Sequence, residues 1–235
     1  MLKKLSILGI VSASLWGSCN KNIIKKLKKE NISIDAYKQA LTFYKKNNFS
    51  ERYITFIDFT LPSDKKRMYI IDNINGKIYK YKTAHGGGYK HRFNKGSLNV
   101  CDYKGRDKNF TRPGFYQTIG VYDSKKGRKY RWKNIYKHFN GIKMRGLTKG
   151  VNDEIYDKGV VIHSSKLVSK YNAKNSSGCF AVSYADIRPI AKKIKFNNMI
   201  YAYVPQCKKE MDIIKHQIVG WENICETYDY DFKQF

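Results

Sequence analysis

After Ser50 the chain adopts a period-two pattern rich in β-branched and aromatic residues, which suits a pleated strand and not a helix. Tyr53-Ile54-Thr55-Phe56-Ile57-Asp58-Phe59 reads as one strand and Arg67-Met68-Tyr69-Ile70-Ile71-Asp72 as a second. Asn73-Ile74-Asn75-Gly76 then supplies a turn, and Lys77-Ile78-Tyr79-Lys80-Tyr81-Lys82 returns as the second arm of a hairpin. Further strands are expected at Gly114 to Tyr122, Val160 to His163 and Met199 to Tyr203. Glycine-bearing loops at Gly86-Gly87-Gly88, Gly105, Gly127, Gly141 and Gly146 separate them. The pattern predicts a mainly β domain with a few surface helices.

The helices are expected outside those strands. Ile34, Tyr37, Leu41 and Tyr44 recur at helical spacing behind an N-cap at Ser33, so residues 19–50 are read as an N-terminal amphipathic segment packed on the following domain. A second helix is expected from Tyr184 to Lys195, just after Cys179. The domain proper then spans residues 51–205, and 206–235 form a tail whose amphipathic stretch, Lys208 to Trp221, has no assigned role.

The charge is 46 Lys+Arg against 19 Asp+Glu, or +27. Such a balance ordinarily points to nucleic acid, but the lysines run from Lys3 to Lys233 with no zinc-finger spacing, RNP-type aromatic motif or basic heptads. No nucleic-acid partner is expected, and the basic surface suits anionic surroundings such as lipid headgroups or wall polymers.

The first residues imply export. Met1-Leu2-Lys3-Lys4 precedes an apolar run from Leu5 to Leu15 that is too short to span a membrane, so residues 1–18 read as a secretory signal. Its end, Leu15-Trp16-Gly17-Ser18-Cys19-Asn20, resembles a bacterial lipoprotein processing box. That resemblance implies lipidation of Cys19 and a membrane anchor; cleavage elsewhere near Ser18 leaves Cys19 an ordinary thiol. Beyond the leader the other cysteines face an oxidising space. Cys207 and Cys225 are then candidates for a bridge, and Cys101 is left over as a buried, inert thiol.

Two segments carry chemistry. Val160-Val161-Ile162-His163 is an apolar strand ending on an imidazole, and sixteen residues later Ser176-Ser177-Gly178-Cys179 is a small-residue turn ending on a thiol. A thiol nucleophile needs a base to become thiolate and backbone amides to hold an oxyanion, which a glycine-containing turn supplies. Between strand and turn these segments hold Cys179 as candidate nucleophile, His163 as base, and Gly178 with Ser177 as the turn that supplies the amides.

The chain here resembles the murein L,D-transpeptidase catalytic domain family, within the YkuD-like superfamily. The matching pieces run from Ala36-Tyr37-Lys38-Gln39-Ala40-Leu41 through Lys66-Arg67-Met68-Tyr69-Ile70-Ile71-Asp72, Ala84-His85-Gly86 and Pro113-Gly114. They continue with Gly146-Leu147-Thr148-Lys149-Gly150-Val151-Asn152-Asp153, Val161-Ile162-His163 and Ser176-Ser177-Gly178-Cys179. The resemblance implies a β-sandwich-like, mostly antiparallel domain with Cys179 and His163 in a cleft. It also implies that Cys179 forms a thioester with a peptidoglycan tetrapeptide stem, releasing D-Ala, and passes it to the amine of a second stem as a 3-3 cross-link. Water as acceptor makes a carboxypeptidase, and an inert cysteine leaves a wall-binding lipoprotein.

His85, Gly86 and Ser176 are carried over as substrate-side residues, and Arg145 is a candidate partner for a stem carboxylate. No metal and no organic cofactor are required. Phe180 stands where larger branches carry arginine and nearer ones proline, which predicts an altered cleft. Papain-like and NlpC/P60-type peptidases place Cys before His, and sortases space the pair more widely. His91, His138 and His216 have no convincing partners in the sequence.

Overall fold

The computed structural model describes residues 19–49, 52–86, 101, 110–122, 141–169, 173 and 176–225. The leader, the glycines Gly87, Gly88, Gly105 and Gly127, His91, His138 and the end of the tail lie outside them. The strands are β1 (Tyr53–Asp58), β2 (Lys66–Asp72), β3 (Lys77–Lys82), β4 (Gly114–Tyr122), β5 (Gly141–Gly146), β6 (Val161–Ser164), β7 (Phe180–Val182) and β8 (Phe196–Tyr203). The helices are α1 (Lys21–Lys29), α2 (Ile34–Lys46), α3 (Ile187–Ile194) and α4 (Lys208–Gln217).

All eight strands join one sheet in the order β3-β2-β1-β8-β4-β5-β6-β7. The β1–β8 and β6–β7 pairs are parallel and the other neighbours antiparallel. Past the end of β3, Ala84 bridges to Ala181 of β7, its amide donating to the Ala181 carbonyl at 2.8 Å. The two edges of the sheet therefore meet, which removes most of the unpaired edge an open sheet would expose. The mainly β class stands, with one nearly closed sheet in place of two packed layers.

Alternation sorts the side chains. Ile57, Met68, Ile70, Ile142, Met144, Ile200 and Ala202 point into one cluster, joined by Ile187, Ile190 and Ile194 of α3. Their neighbours Ile54, Phe56, Tyr69, Ile71 and Tyr201 face the other way, onto α1, α2 and α4. With both faces covered, β1 and β2 are buried at nearly every position.

Helix α2 starts as expected, with the Ser33 hydroxyl accepting from the Ala36 amide at 3.1 Å. Its buried face is wider than the sequence implied, because Ala36, Gln39, Ala40, Thr42 and Phe43 are buried beside Tyr37, Leu41 and Tyr44. The extra cover comes from α1, capped by Asn20, and from the tail. Helix α4 buries Met211 and Ile214, while Lys46 of α2 donates to the Val219 carbonyl at 2.8 Å and Gln217 to that of Leu147 at 2.9 Å. The Tyr44 hydroxyl lies 2.6 Å from the carbonyls of Tyr53 and Met199, where β1 and β8 run side by side.

The cysteines correct three expectations. Cys101 is neither inert nor alone but bonded to Cys207, so Cys207 is not available to Cys225. Cys225 is instead bonded to Cys19, itself buried among the residues under α1 and α2. A sulfur spent in a disulfide carries no thioether, so this bond and lipidation of Cys19 exclude one another. Chain-entropy arguments give a loop closed between Cys101 and Cys207, 106 positions apart, about 4–5 kcal/mol of stabilisation. Reduction is expected to lower the melting temperature by roughly 10 °C or more, read by calorimetry with and without a phosphine reductant. An unchanged transition in fully reduced protein would overturn the pairing.

Candidate active site

Of the five cysteines, Cys179 is the one outside a disulfide. It is half-buried and lies immediately before β7. The helix expected directly behind it is displaced: three residues of strand intervene, and α3 begins only at Ile187. The start of α3 is thus eight residues beyond the thiol along the chain.

Strand pairing brings the two together. In the parallel register of β6 and β7, Ile162 lies beside Phe180 and His163 beside Ala181. Ile162 and Phe180 both point into the core. Their strand neighbours, His163 on β6 and Ala181 on β7, consequently face the other side of the sheet. Cys179 thus lies two residues before Ala181, the neighbour of His163 across the strand pair.

Phe180 does not shape that face. It is fully buried, 5.1 Å edge-on from Tyr116 and 6.2 Å from Phe59 between ring centroids. The altered cleft predicted from Phe180 is thus replaced by a repacked interior.

His163 Nδ1 is 2.9 Å from the Ser164 carbonyl oxygen. A carbonyl only accepts, so Nδ1 carries the hydrogen and Nε2 holds the lone pair of a base. Burial lowers the imidazole pKa from 6.5, and the Ser164 bond opposes it. The acidic limb of kcat/KM is therefore expected below pH 6.5, as read from a pH profile of turnover; a limb centred above 7 would contradict it. The linkage has the same sign. The stability tied to neutral His163 is present above the unfolded pKa and is lost as pH falls through the lower folded value.

The turn ahead of Cys179 is tightly held. Gly178 has φ +96°, a conformation that favours glycine. Its carbonyl accepts from Thr111 Oγ1 at 3.1 Å, and Thr111 Oγ1 in turn accepts from the Gly86 amide at 2.8 Å. Ser176 donates its amide to the His85 carbonyl at 2.7 Å and its hydroxyl to the Cys179 carbonyl. Ser177 is exposed at the tip.

The structure thus gathers Cys179, His163, Ser176, Ser177, Gly178, His85 and Gly86 where the sheet closes. His85, carried over as a substrate-side residue, is instead fully buried, with its ring against the Arg67 guanidinium and not open to a stem. Arg145 is not brought to the site. In β5 it lies four residues beyond Gly141, the partner of His163, or about 13 Å along the strand. There Nε donates to Gln117 Oε1 at 2.6 Å, and the residue lines a surface cavity of about 350 Å³ with Phe43 and Phe49. Thr111 and Arg67 escaped the sequence reading. Thr111 has no motif around it, and Arg67 looked like the polar start of a strand.

A thiol on a glycine-containing turn, two residues from the strand neighbour of a histidine, is a class of site suited to acyl transfer through a thioester. A profile of the L,D-transpeptidase catalytic domain matches residues 28–203, and the chain belongs to that family. Among solved structures it is similar to a protein of Bdellovibrio bacteriovorus at 17% identity, over 72% of this chain and 56% of that one, with a TM-score of 0.39. It is also similar to an L,D-transpeptidase from Mycobacterium smegmatis at 15% identity, over 65% of this chain and 59% of that one, with a TM-score of 0.37. The chain therefore spans less than two thirds of the length of either. A comparison with curated proteins finds no match. Among the described residues no helix is long and apolar enough to cross a membrane, and no three His, Cys, Asp or Glu gather as metal ligands.

Proposed function

We propose that the protein is an exported cysteine acyltransferase acting on peptidoglycan tetrapeptide stems, with Cys179 as nucleophile and His163 as base. The observation that carries this reading is the thiol inventory. Four cysteines are spent in disulfides, and the fifth, Cys179, lies two residues from Ala181, the strand neighbour of His163. The two disulfides also support export to an oxidising compartment, where peptidoglycan is found.

In the first half-reaction His163 Nε2 takes the thiol proton as Cys179 sulfur attacks the carbonyl joined to the terminal D-Ala. The tetrahedral oxyanion is held by the amides of Gly178 and Cys179. Its collapse breaks the C–N bond, His163 returns the proton to the departing D-Ala amine, and a thioester remains. In the second, His163 deprotonates the side-chain amine of another stem, which attacks the thioester and restores the thiol. That product is a 3-3 cross-link, and water in place of the amine gives a tripeptide.

The test is mass spectrometry of disaccharide-tetrapeptide muropeptides incubated with the full chain, disulfides intact. A dimer lacking one D-Ala establishes transpeptidation, and tripeptide alone establishes a carboxypeptidase. Unchanged stems, under conditions where another family member turns them over, would replace catalysis with an inert wall-binding role.

A further inference from the structure

We propose that Arg67 is a positioning residue for the Cys179 turn, acting through His85; the inference rests on the catalytic reading of Cys179. Arg67 is the extra residue of a β-bulge. Lys66 pairs with Lys82 and Met68 with Tyr81, so Arg67 has no partner across the strand pair. A bulge re-aims its side chain, and here the guanidinium goes fully buried toward the seam where the sheet closes.

Its donors are spent on that seam. Nε and Nη2 donate to the Thr83 carbonyl at 3.0 and 2.8 Å, and Nη1 donates to that of Leu61 at 2.8 Å. Nη2 also lies 2.6 Å from His85 Nδ1. The guanidinium face lies 4.8 Å from the Phe59 ring centroid. Burial lowers the Arg67 pKa to about 9 while Asp58 and Asp64 raise it, so the group is a cation at neutral pH.

A guanidinium only donates, so His85 Nδ1 must accept and the imidazole hydrogen must be on Nε2. That fixes both ring and tautomer. The segment so held reaches the nucleophile by two routes. The His85 carbonyl takes the Ser176 amide, and Ser176 in turn bonds Cys179. Thr83 Oγ1 and the Ala84 amide both donate to Ala181, two residues beyond Cys179. Arg67 thus sets where the thiol sits without touching substrate.

The first readout needs no variant: ¹⁵N NMR of the imidazoles in the full chain. His85 is expected with Nδ1 unprotonated and Nε2 protonated, and a protonated Nδ1 would overturn the proposal. The second is the alkylation rate of Cys179 by iodoacetamide as a function of pH, alongside kcat and KM. His85→Gln keeps an acceptor toward Arg67 and an N–H on the far side, and is expected to stay within a few-fold of wild type. His85→Leu and Arg67→Met are expected to lower kcat about 10²-fold with little change in KM, the effect of misplacing a reacting atom by about 1 Å. Equal rates for His85→Gln and His85→Leu would overturn it. An inactive wild type with the expected His85 tautomer would instead reject the catalytic reading and leave the Arg67–His85 geometry intact.

Discussion

Cys179→Ala is expected to abolish D-Ala release, with a fall in kcat of at least about 10⁴-fold, because the nucleophile of a covalent mechanism has no substitute among its neighbours. The other four cysteines are held in disulfides, so none can take its place. The fold is expected to survive. Cys179 is only half-buried, precedes β7 without forming part of it, and loses little packing as alanine. A change of under about 1 kcal/mol is ordinary for such a site. Cys179→Ser separates chemistry from shape, since a hydroxyl beside His163 titrates far above a thiol and remains protonated. Both variants are read by D-Ala release and by melting temperature. Retention of even a tenth of the wild-type rate in Cys179→Ala would move the nucleophile elsewhere.

The largest stability loss is expected from Gly146→Ala, far from the thiol. A Cβ on Gly146 would lie 1.8 Å from the main-chain oxygen of Asn152 and 2.5 Å from its Oδ1. Asn152 cannot retreat cheaply. It is fully buried, its Nδ2 donates to the carbonyls of Pro113 and Phe115 at 3.1 and 3.0 Å, and its Oδ1 accepts the Thr148 amide at 2.9 Å. Moving it strips partners from several buried polar groups, each costing about 1–3 kcal/mol. The expected loss is about 4 kcal/mol or more, a fall in melting temperature of roughly 8–16 °C. A loss under about 1 kcal/mol would mean that the turn from Gly146 to Asn152 yields, contrary to its bonding.

That turn shows how a motif can be visible before its reason is. The run from Gly146 to Asp153 stood out by resemblance, yet the cause is steric and lies in the meeting of β5 with the start of β4. Other elements were readable at once. The hairpin of β2 and β3 follows from alternation around Asn73 to Gly76, and α2 from the Ser33 cap and four apolar residues at helical spacing. Both are local signals, complete within a dozen residues.

Long-range contacts hid the rest. Phe180-Ala181-Val182 is too short to show a period, and it is a strand because β6 and Ala84 pair with it on either side. Arg145 and His85 are both basic residues beside glycines, but on β5 one is turned to Gln117 while the Arg67 guanidinium holds the other in the interior. Cysteine spacing alone could not choose among pairings, and the packing of α1 and the tail against α2 brings Cys19 to Cys225.

By itself the sequence determined the mainly β class, the order of the principal strands along the chain, the cap of α2, and the presence of a strand histidine and a turn cysteine. These rest on periodicity and on residue chemistry, which neighbours along the chain express. Only the tertiary structure decided which face each side chain takes, which sulfurs are spent, and how Arg67, His85 and Thr111 grip the turn. Those depend on contacts between segments far apart in the chain, whose geometry arises only once the sheet has closed.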